Sequence, residues 1–232
     1  MHFLSRLQDL CVNFLFPKNR EILELETLSP NILLEILPPA DFARPKAGFV
    51  EPKTGQLKDN AIALFDYGHP LVRTIVWELK YNGNRQMAEK LGEILYDVIQ
   101  HEVSDLMLFE KWDRPILIPI PISDKRRFER GWNQSELLAK QVLMRDKTKM
   151  FRYLPRQLVK IHHTESQTKT ASRNERLKNL GNSMKVLNNS SVASENVIVL
   201  DDVTTTGATF AEARRALRAA GAKKILCIAV AH

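Results

Sequence analysis

Asp201 and Asp202 stand side by side at the end of the apolar run Val197–Leu200, and Val203, Thr204, Thr205, Thr206, Gly207, Ala208 and Thr209 follow them. A carboxylate accepts hydrogen bonds, so the pair suits vicinal hydroxyls and repels phosphate. The loop after it has the opposite character. Thr204, Thr205, Thr206 and Thr209 offer hydroxyl donors, and the helix expected next leaves its first amides unpaired with the positive end of its dipole facing out. Gly207 permits a conformation or a close approach that a side chain would block. Together these residues cradle one phosphate monoester. The Gly-Lys-Ser/Thr ending of a nucleoside-triphosphate loop is absent. A diol clamp beside a phosphate cradle describes a ribose 5-phosphate. The plain alternative is a strand end with an Asp-rich turn and an N-capped helix, and the thirteen residues VIVLDDVTTTGAT taken whole favour the sugar phosphate.

A second chemical signal is charge. The net charge is +7, yet Lys111–Val186 carries 18 basic against 7 acidic residues, a local net of +11 that leaves −4 for the rest. Such an excess is often only a solvated face, but its concentration in one third of the chain favours a polyanion such as a phosphate, a pyrophosphate or a nucleic acid. The densest part is SDKRRFERG, with Lys125, Arg126, Arg127 and Arg130. Lys80 follows an amphipathic helix. His162 and His163 are adjacent, without the spacing of a metal site. Cys11 and Cys227 lie far apart in apolar stretches and read as inert core thiols, which excludes a four-cysteine zinc site within the chain and makes the cytoplasm the default compartment.

The elements that position these groups follow from periodicity. AIALFDY from Ala61, PILIPIPI at Pro115–Ile122, FRYLPRQLVKI, Met184–Leu187, Val197–Leu200 and KILCIAVA read as strands. Helices are expected over HPLVRTIVWELKYNGN, Arg85 to about Val103, Asn133 to about Met144, Ser172–Leu180 and Thr209–Ala220, the last closed by Gly221. Asn133 and Glu136 have the spacing of a capping box. Unbroken apolar strands alternating with helices predict an α/β fold, a mostly parallel sheet covered by helices on both faces. Residues 61–232 form this domain. Residues 1–60 read as an N-terminal helix and a small irregular arm or lobe, in which LSPNILLEILPPA is a short helix closed by prolines. The opening MHFLSRLQDLCVNFLF is amphipathic, a docked helix rather than a signal peptide or a span, and no apolar run reaches the roughly 20 residues of a membrane helix.

VIVLDDVTTTGAT resembles the PRPP-binding motif of type I phosphoribosyltransferases, with Thr204 where many members carry an aliphatic residue. The resemblance implies that Asp201 and Asp202 bind the ribose hydroxyls and that Thr205, Thr206, Gly207, Ala208 and Thr209 bind the 5-phosphate. Three further stretches narrow it. ELKYNGN (Glu78–Asn84), PIPISDKRRFERGWNQSELLAK (Pro119–Lys140) and HTESQTKTASRNERLKN (His163–Asn179) resemble, in order, segments of the ComF family, which is linked to competence and DNA uptake. The chain lacks the paired Cys-x-x-Cys zinc module with which many such proteins begin, so no zinc is expected.

The resemblance implies a type I phosphoribosyltransferase-like fold and PRPP, or another ribose 5-phosphate, as ligand, with Mg2+ bound across its phosphate oxygens. SDKRRFERG becomes a pyrophosphate loop, Lys125, Arg126 and Arg127 contributing and Arg130 and Gly131 nearest. Gln167, Arg173 and Arg176 become a flap that covers the site. Arg130, Gln167 and Arg176 then carry the catalytic roles and Lys80 a binding one. A solvated basic turn and an ordinary surface helix are the plain alternatives for those two segments. No residue identifies the phosphoribosyl acceptor. With no residues after His232, the cover over it is expected from the N-terminal lobe and residues such as Phe65 and Tyr67. Beside the enzyme stand two other readings: a non-catalytic accessory in DNA uptake or recombination that binds nucleotide or single-stranded DNA, and a PRPP or nucleotide sensor acting on a partner such as a DNA-uptake protein. A homo-oligomer is compatible with all three.

Overall fold

The computed structural model describes residues 20–40, 61–110, 112–161 and 183–232. Its core is a five-stranded, wholly parallel sheet in the order β1 (Ala61–Phe65), β7 (Lys224–Ala231), β6 (Asn196–Val203), β2 (Ile116–Pro119), β3 (Arg152–Tyr153). The expected α/β architecture is therefore the observed one. The central strand β6 pairs with β7 from Asn196 to Val203 and with β2 from Ile116 to Pro119, so it is hydrogen-bonded along both edges.

Strand periodicity divides the sheet's side chains between two cores. Leu117, Ile198, Leu200, Leu226, Ile228 and Val230 enter one, beneath α3 (Pro70–Trp77), α4 (Arg85–Glu110) and α6 (Gln134–Arg145). Ile116, Ile118, Val197, Val199, Ile225 and Cys227 enter the other, beneath α7 (Ala208–Ala219). Each such buried side chain contributes about 1.5–3 kcal/mol relative to exposure. Cys227 lies in this apolar interior, and burial pushes its thiol up to about 12, so it is an inert core thiol.

Of the N-terminal region, α1 (Arg20–Thr27) and α2 (Pro30–Ile36) are described. Ser29 caps α2 and Pro30 opens it. Ile22, Leu25, Leu33 and Leu37 enter the same core as α3 and α4. The chain then runs beside β1, with the amide of Ala40 donating to Leu64 and that of Asp66 to Pro38.

Three local expectations are corrected. FRYLPRQLVKI is two strands in two sheets: β3 joins the main sheet, while β4 (Leu158–Lys160) pairs antiparallel with β5 (Met184–Val186) in a separate ribbon. Pro155, which cannot donate to a ladder, lies in the turn between them. SDKRRFERG is a helix, α5 (Asp124–Arg130), instead of a loop. Ser123 caps it by accepting from the amide of Arg126, and Gly131 ends it at φ 80°, with no breaker between. The capping box at α6 does not form. Asn133 accepts from the amide of Ser135, and Glu136 turns away to pair with Arg127.

The ribbon is fastened to α7 by Glu212, which is 6% exposed. Its Oε1 accepts from the amide of Met184 at 2.9 Å, and Arg215 donates both to Glu212 and to the Met184 carbonyl. Burial alone would raise the Glu212 carboxyl, but these hydrogen bonds hold it below the usual range.

Candidate functional site: an acidic pair beside a phosphate cradle

Strand β6 carries Asp201 and Asp202 to its end, where they are 5% and 3% exposed. Two buried adjacent carboxylates are costly unless their oxygens are occupied. Asp201 Oδ1 accepts from the Ser135 hydroxyl at 2.8 Å and from the amide of Asp202 at 2.9 Å. Asp202 Oδ1 accepts from Gln134 Nε2 at 3.2 Å. Both donors stand at the start of α6, whose dipole also favours negative charge there. Asn133 aims that helix, since its Nδ2 donates to the Ile120 carbonyl just beyond β2. These contacts do not fully offset burial. The buried site and the neighbouring Asp202 hold the Asp201 carboxyl well above the usual carboxylate range, against the opposing bonds from Ser135 and the Asp202 amide.

Lys80 crosses to the same pair. Its Nζ lies 2.9 Å from Asp202 Oδ2, as a contact of charges without an aligned hydrogen bond. A local winding defect puts it there. Glu78–Asn82 forms a π-turn after α3, closed by Gly83 at φ 58°. Such wide turns free backbone groups and mark functional positions. The freed Leu79 carbonyl accepts from Trp132 Nε1 at 2.9 Å. A Cβ on Gly83 would lie 3.0 Å from the Trp132 ring, so glycine is required for both space and backbone angle. Beneath the turn, buried Glu78 accepts from Asn82 at 2.9 Å and Asn84 at 3.3 Å. KYNG and RGWNQ, separate in sequence, are thus two halves of one corner.

Beyond the acids, the loop Thr204–Gly207 opens a cleft of about 230 Å³ lined by Tyr67, Lys80 and Val203–Thr209. Gly207 has φ 72°, and a Cβ at this position would meet nothing within 4 Å, so the backbone conformation and not the space is what demands glycine. No side chain caps α7, and only a long 3.4 Å contact reaches the Ala208 amide from Thr206 Oγ1. The helix start therefore faces the cleft with its amides available. Thr204 differs from its neighbours: its amide continues the sheet by donating to Ala231, and its buried hydroxyl has no partner. Tyr67 is held at the cleft by its amide bond to the His232 carbonyl, at 2.8 Å. Phe65, expected as part of a cover, is instead 2% exposed within the core.

The basic residues of α5 divide. Arg127 pairs with Glu136, and both lie close to Tyr153, whose hydroxyl is pushed up to about 12 by burial, with Glu136 adding and Arg127 opposing. Arg130 lies with its guanidinium 4.8 Å from the Tyr81 ring centroid and its NH1 3.5 Å from Gln134 Oε1. Lys125 and Arg126 are exposed on the same helix. Half-buried Lys160, at the end of β4, has its ammonium held below the usual range by burial and by Arg126, with Asp201 acting the other way. Lys160, Gln134 and Ser135 are additions to the residues expected from sequence. Gln134 and Ser135 directly follow the cap residue Asn133 in the run NQS, so the sequence signals for them are the helix start and the family-like stretch Pro119–Lys140 that contains them. Gln167, Arg173 and Arg176, with His162 and His163, lie outside the described residues.

The donor set fits a Mg2+ that arrives with its ligand. Asp202 Oδ2 is a buried oxygen met by Lys80 Nζ without an aligned hydrogen bond, and Mg2+ commonly takes one or two carboxylates together with substrate phosphates and waters. Among the described residues, no three His, Cys, Asp or Glu side chains gather as a metal site of their own.

A parallel sheet whose central strand ends in a carboxylate pair, followed by a glycine-broken loop and an uncapped helix start, defines an α/β protein with its candidate site at that strand end. No family model matches the chain. It is 26% identical over 166 residues to the DNA utilization protein YhgH of Escherichia coli, across 71% of this chain and 68% of that one. It is 26% identical over 170 residues to Competence protein F of Haemophilus influenzae, covering 72% and 70%. Competence protein ComFC of Bacillus subtilis is 36% identical over 102 residues, which span 44% of this chain and 38% of that protein. The chain is thus similar to proteins named for DNA utilization and for competence, over about 70% of its length in the first two. Among solved structures, glutamine phosphoribosylpyrophosphate amidotransferase from B. subtilis aligns with 66% of this chain and 30% of its own, at 15% identity and a TM-score of 0.39.

Proposed function

We propose that the chain binds PRPP with Mg2+ and acts as a cytoplasmic phosphoribosyltransferase, a pentosyl transferase serving DNA uptake. The observation that carries this reading is the junction at the end of β6, where two buried carboxylates directly precede an open amide-and-hydroxyl cleft and are joined to its lining through Lys80. The carboxylates accept the ribose 2- and 3-hydroxyls, and the cradle takes the 5-phosphate. Lys80 spans the two, neutralising the acids and meeting the ligand's negative charge. Arg126, Arg130 and Lys160 supply positive charge where the pyrophosphate departs, which is electrostatic stabilisation of a group whose charge develops in the transition state. Mg2+, when bound, supplies charge neutralisation across the phosphate oxygens.

Calorimetric titration of PRPP with Mg2+ tests the site, and equal binding by Asp201→Asn/Asp202→Asn would sink it. Turnover is tested by pyrophosphate release across a panel of bases and amines. The second reading, an accessory that binds nucleotide or single-stranded DNA without transfer, is favoured by the relatives' names, DNA utilization and competence. It replaces the first if no acceptor supports pyrophosphate release while single-stranded DNA binds with a steep salt dependence.

A further inference from the structure

The π-turn that carries Lys80 is tied to the N-terminal lobe by one residue, Asn84, which is buried. Both hydrogens of its side-chain amide are in use. Nδ2 donates to Glu26 Oε1 at 2.6 Å and to Glu78 Oε2 at 3.3 Å. Its Oδ1 accepts from the amide of Met87 at 3.0 Å, in the first turn of α4. Asn84 therefore joins α1, the π-turn and α4 at a single point. Glu26 belongs to α1 and lies 58 positions away in sequence. It stands in the last turn of that helix, where a carboxylate opposes the helix dipole, so it gains nothing from its own helix. Its bond leads elsewhere: through Asn84 to Glu78, the first residue of the π-turn, and two residues later to Lys80.

We propose that Glu26 is a positioning residue for Lys80: through Asn84 it holds the π-turn so that the lysine meets Asp202. The inference rests on the sugar-phosphate reading of the acid pair and gives the N-terminal lobe a part in that site. Lysine has a flexible four-carbon stem, and ordering it costs rotamer freedom. That cost falls when the root of the stem is already fixed. Here the two residues before Lys80 are both gripped, Glu78 by Asn82 and Asn84 from below and Leu79 by Trp132 from the side. Glu26 sets Asn84, and the grip on Glu78 follows. The plain alternative is that Glu26 only fastens the lobe to the body. Lys90 does that without touching the turn, since its Nζ donates to the Leu28 carbonyl just past α1. The two attachments can therefore be told apart.

The experiment titrates PRPP with Mg2+ into the full chain and follows indole hydrogen exchange by NMR. Glu26→Ala is expected to weaken PRPP at least about threefold, within what one hydrogen bond contributes. Glu26→Gln keeps an acceptor oxygen for Asn84 and retains wild-type affinity to within about twofold. Lys90→Met loosens the lobe without moving the turn and also retains it. In a Lys80→Met background Glu26→Ala adds no further loss, whereas independent effects would multiply to within about twofold. Without ligand, Glu26→Ala speeds exchange at the Trp132 indole, which reports the π-turn through Leu79, and leaves the Trp112 indole unchanged. Unaltered affinity in Glu26→Ala overturns the inference, as does a loss that multiplies with Lys80→Met or one that Lys90→Met reproduces. Should Glu26→Ala not fold, Glu26→Asp, too short to reach Asn84, takes its place under the same outcomes. A wild-type chain that binds no PRPP overturns the sugar-phosphate reading instead. The positioning role is then decided by exchange, and an unchanged Trp132 indole in Glu26→Ala overturns it.

Discussion

The end of β6 and the corner built by the π-turn with α5 and α6 meet at Asp201 and Asp202 but are made in opposite ways. The first is local. Asp201 to Thr209 is one continuous stretch, and its cradle is held by the sheet on one side and the start of α7 on the other. The second is assembled. Lys80, Arg130, Gln134 and Ser135 come from separate elements, fixed by Trp132 at Leu79, Asn133 at Ile120 and Glu78 beneath Asn84. The local half carries the groups proposed to bind the ligand, and the assembled half pairs with them and aims them. The local half should therefore fail by losing chemistry, and the assembled half by losing geometry.

The largest effect is expected in the local half. Asp201→Asn/Asp202→Asn should weaken PRPP binding at least about a hundredfold, since each charged hydrogen bond contributes roughly 1.5–3 kcal/mol. Titration calorimetry with Mg2+ measures it. Next is Gly83→Ala in the assembled half. The positive φ and the 3.0 Å approach to Trp132 should cost about 1–3 kcal/mol of stability and weaken ligand binding through Lys80, although Gly83 touches no ligand. Chemical denaturation paired with the same titration separates those losses. A fully stable variant would show that the corner does not depend on this glycine.

A smaller effect separates function from stability within the acid pair. Asp201 has its folded carboxyl raised, so the folded state holds this proton more tightly than the unfolded chain. Its contribution to stability is full below the unfolded value, about 3.9, and is lost as pH rises from there through the raised folded value. Asp201→Asn should accordingly raise the melting temperature at neutral pH by about 2–4 °C, corresponding to roughly 1 kcal/mol, while it impairs ligand binding. A melting temperature that falls would show the carboxylate to be adequately solvated by Ser135 and the Asp202 amide. The smallest change is expected from Arg127→Ala. Its guanidinium is half exposed and paired with Glu136, so stability should move by about 1 kcal/mol or less and PRPP affinity by less than about threefold. Arg130→Ala, measured beside it, should lose distinctly more affinity, because Arg130 reaches Gln134 and the clamp.

The two halves also differ in how far they could be read from sequence. VIVLDDVTTTGAT announces strand, acid pair, glycine turn and helix, because each is a property of neighbours along the chain. The sheet was legible for the same reason, through unbroken apolar runs at Ile116, Val197 and Ile225. SDKRRFERG was not. Its charges suggest a loop, yet a serine cap, a helical run without a breaker and a terminal glycine make a helix that sends Arg127 to Glu136 and Arg130 to Tyr81. Phe65 looked like a cover because it lies two residues from Tyr67, but it ends β1 with its ring in the core, while Tyr67 lies past the strand at the cleft.

What is contiguous was therefore written in the order of residues: the adjacent carboxylates, the hydroxyl loop, the glycine at φ 72° and the parallel strands that present them. What depends on through-space partners was not. That Lys80 leans on Asp202, that Gln134 and Ser135 occupy the acids' oxygens, and that Tyr81 lies under Arg130 all follow from a π-turn and a helix start meeting at one corner. Residues from 49 positions apart (Tyr81 and Arg130) to 122 apart (Lys80 and Asp202) can be matched there only by folding, because such contacts need a close approach that no local pattern encodes.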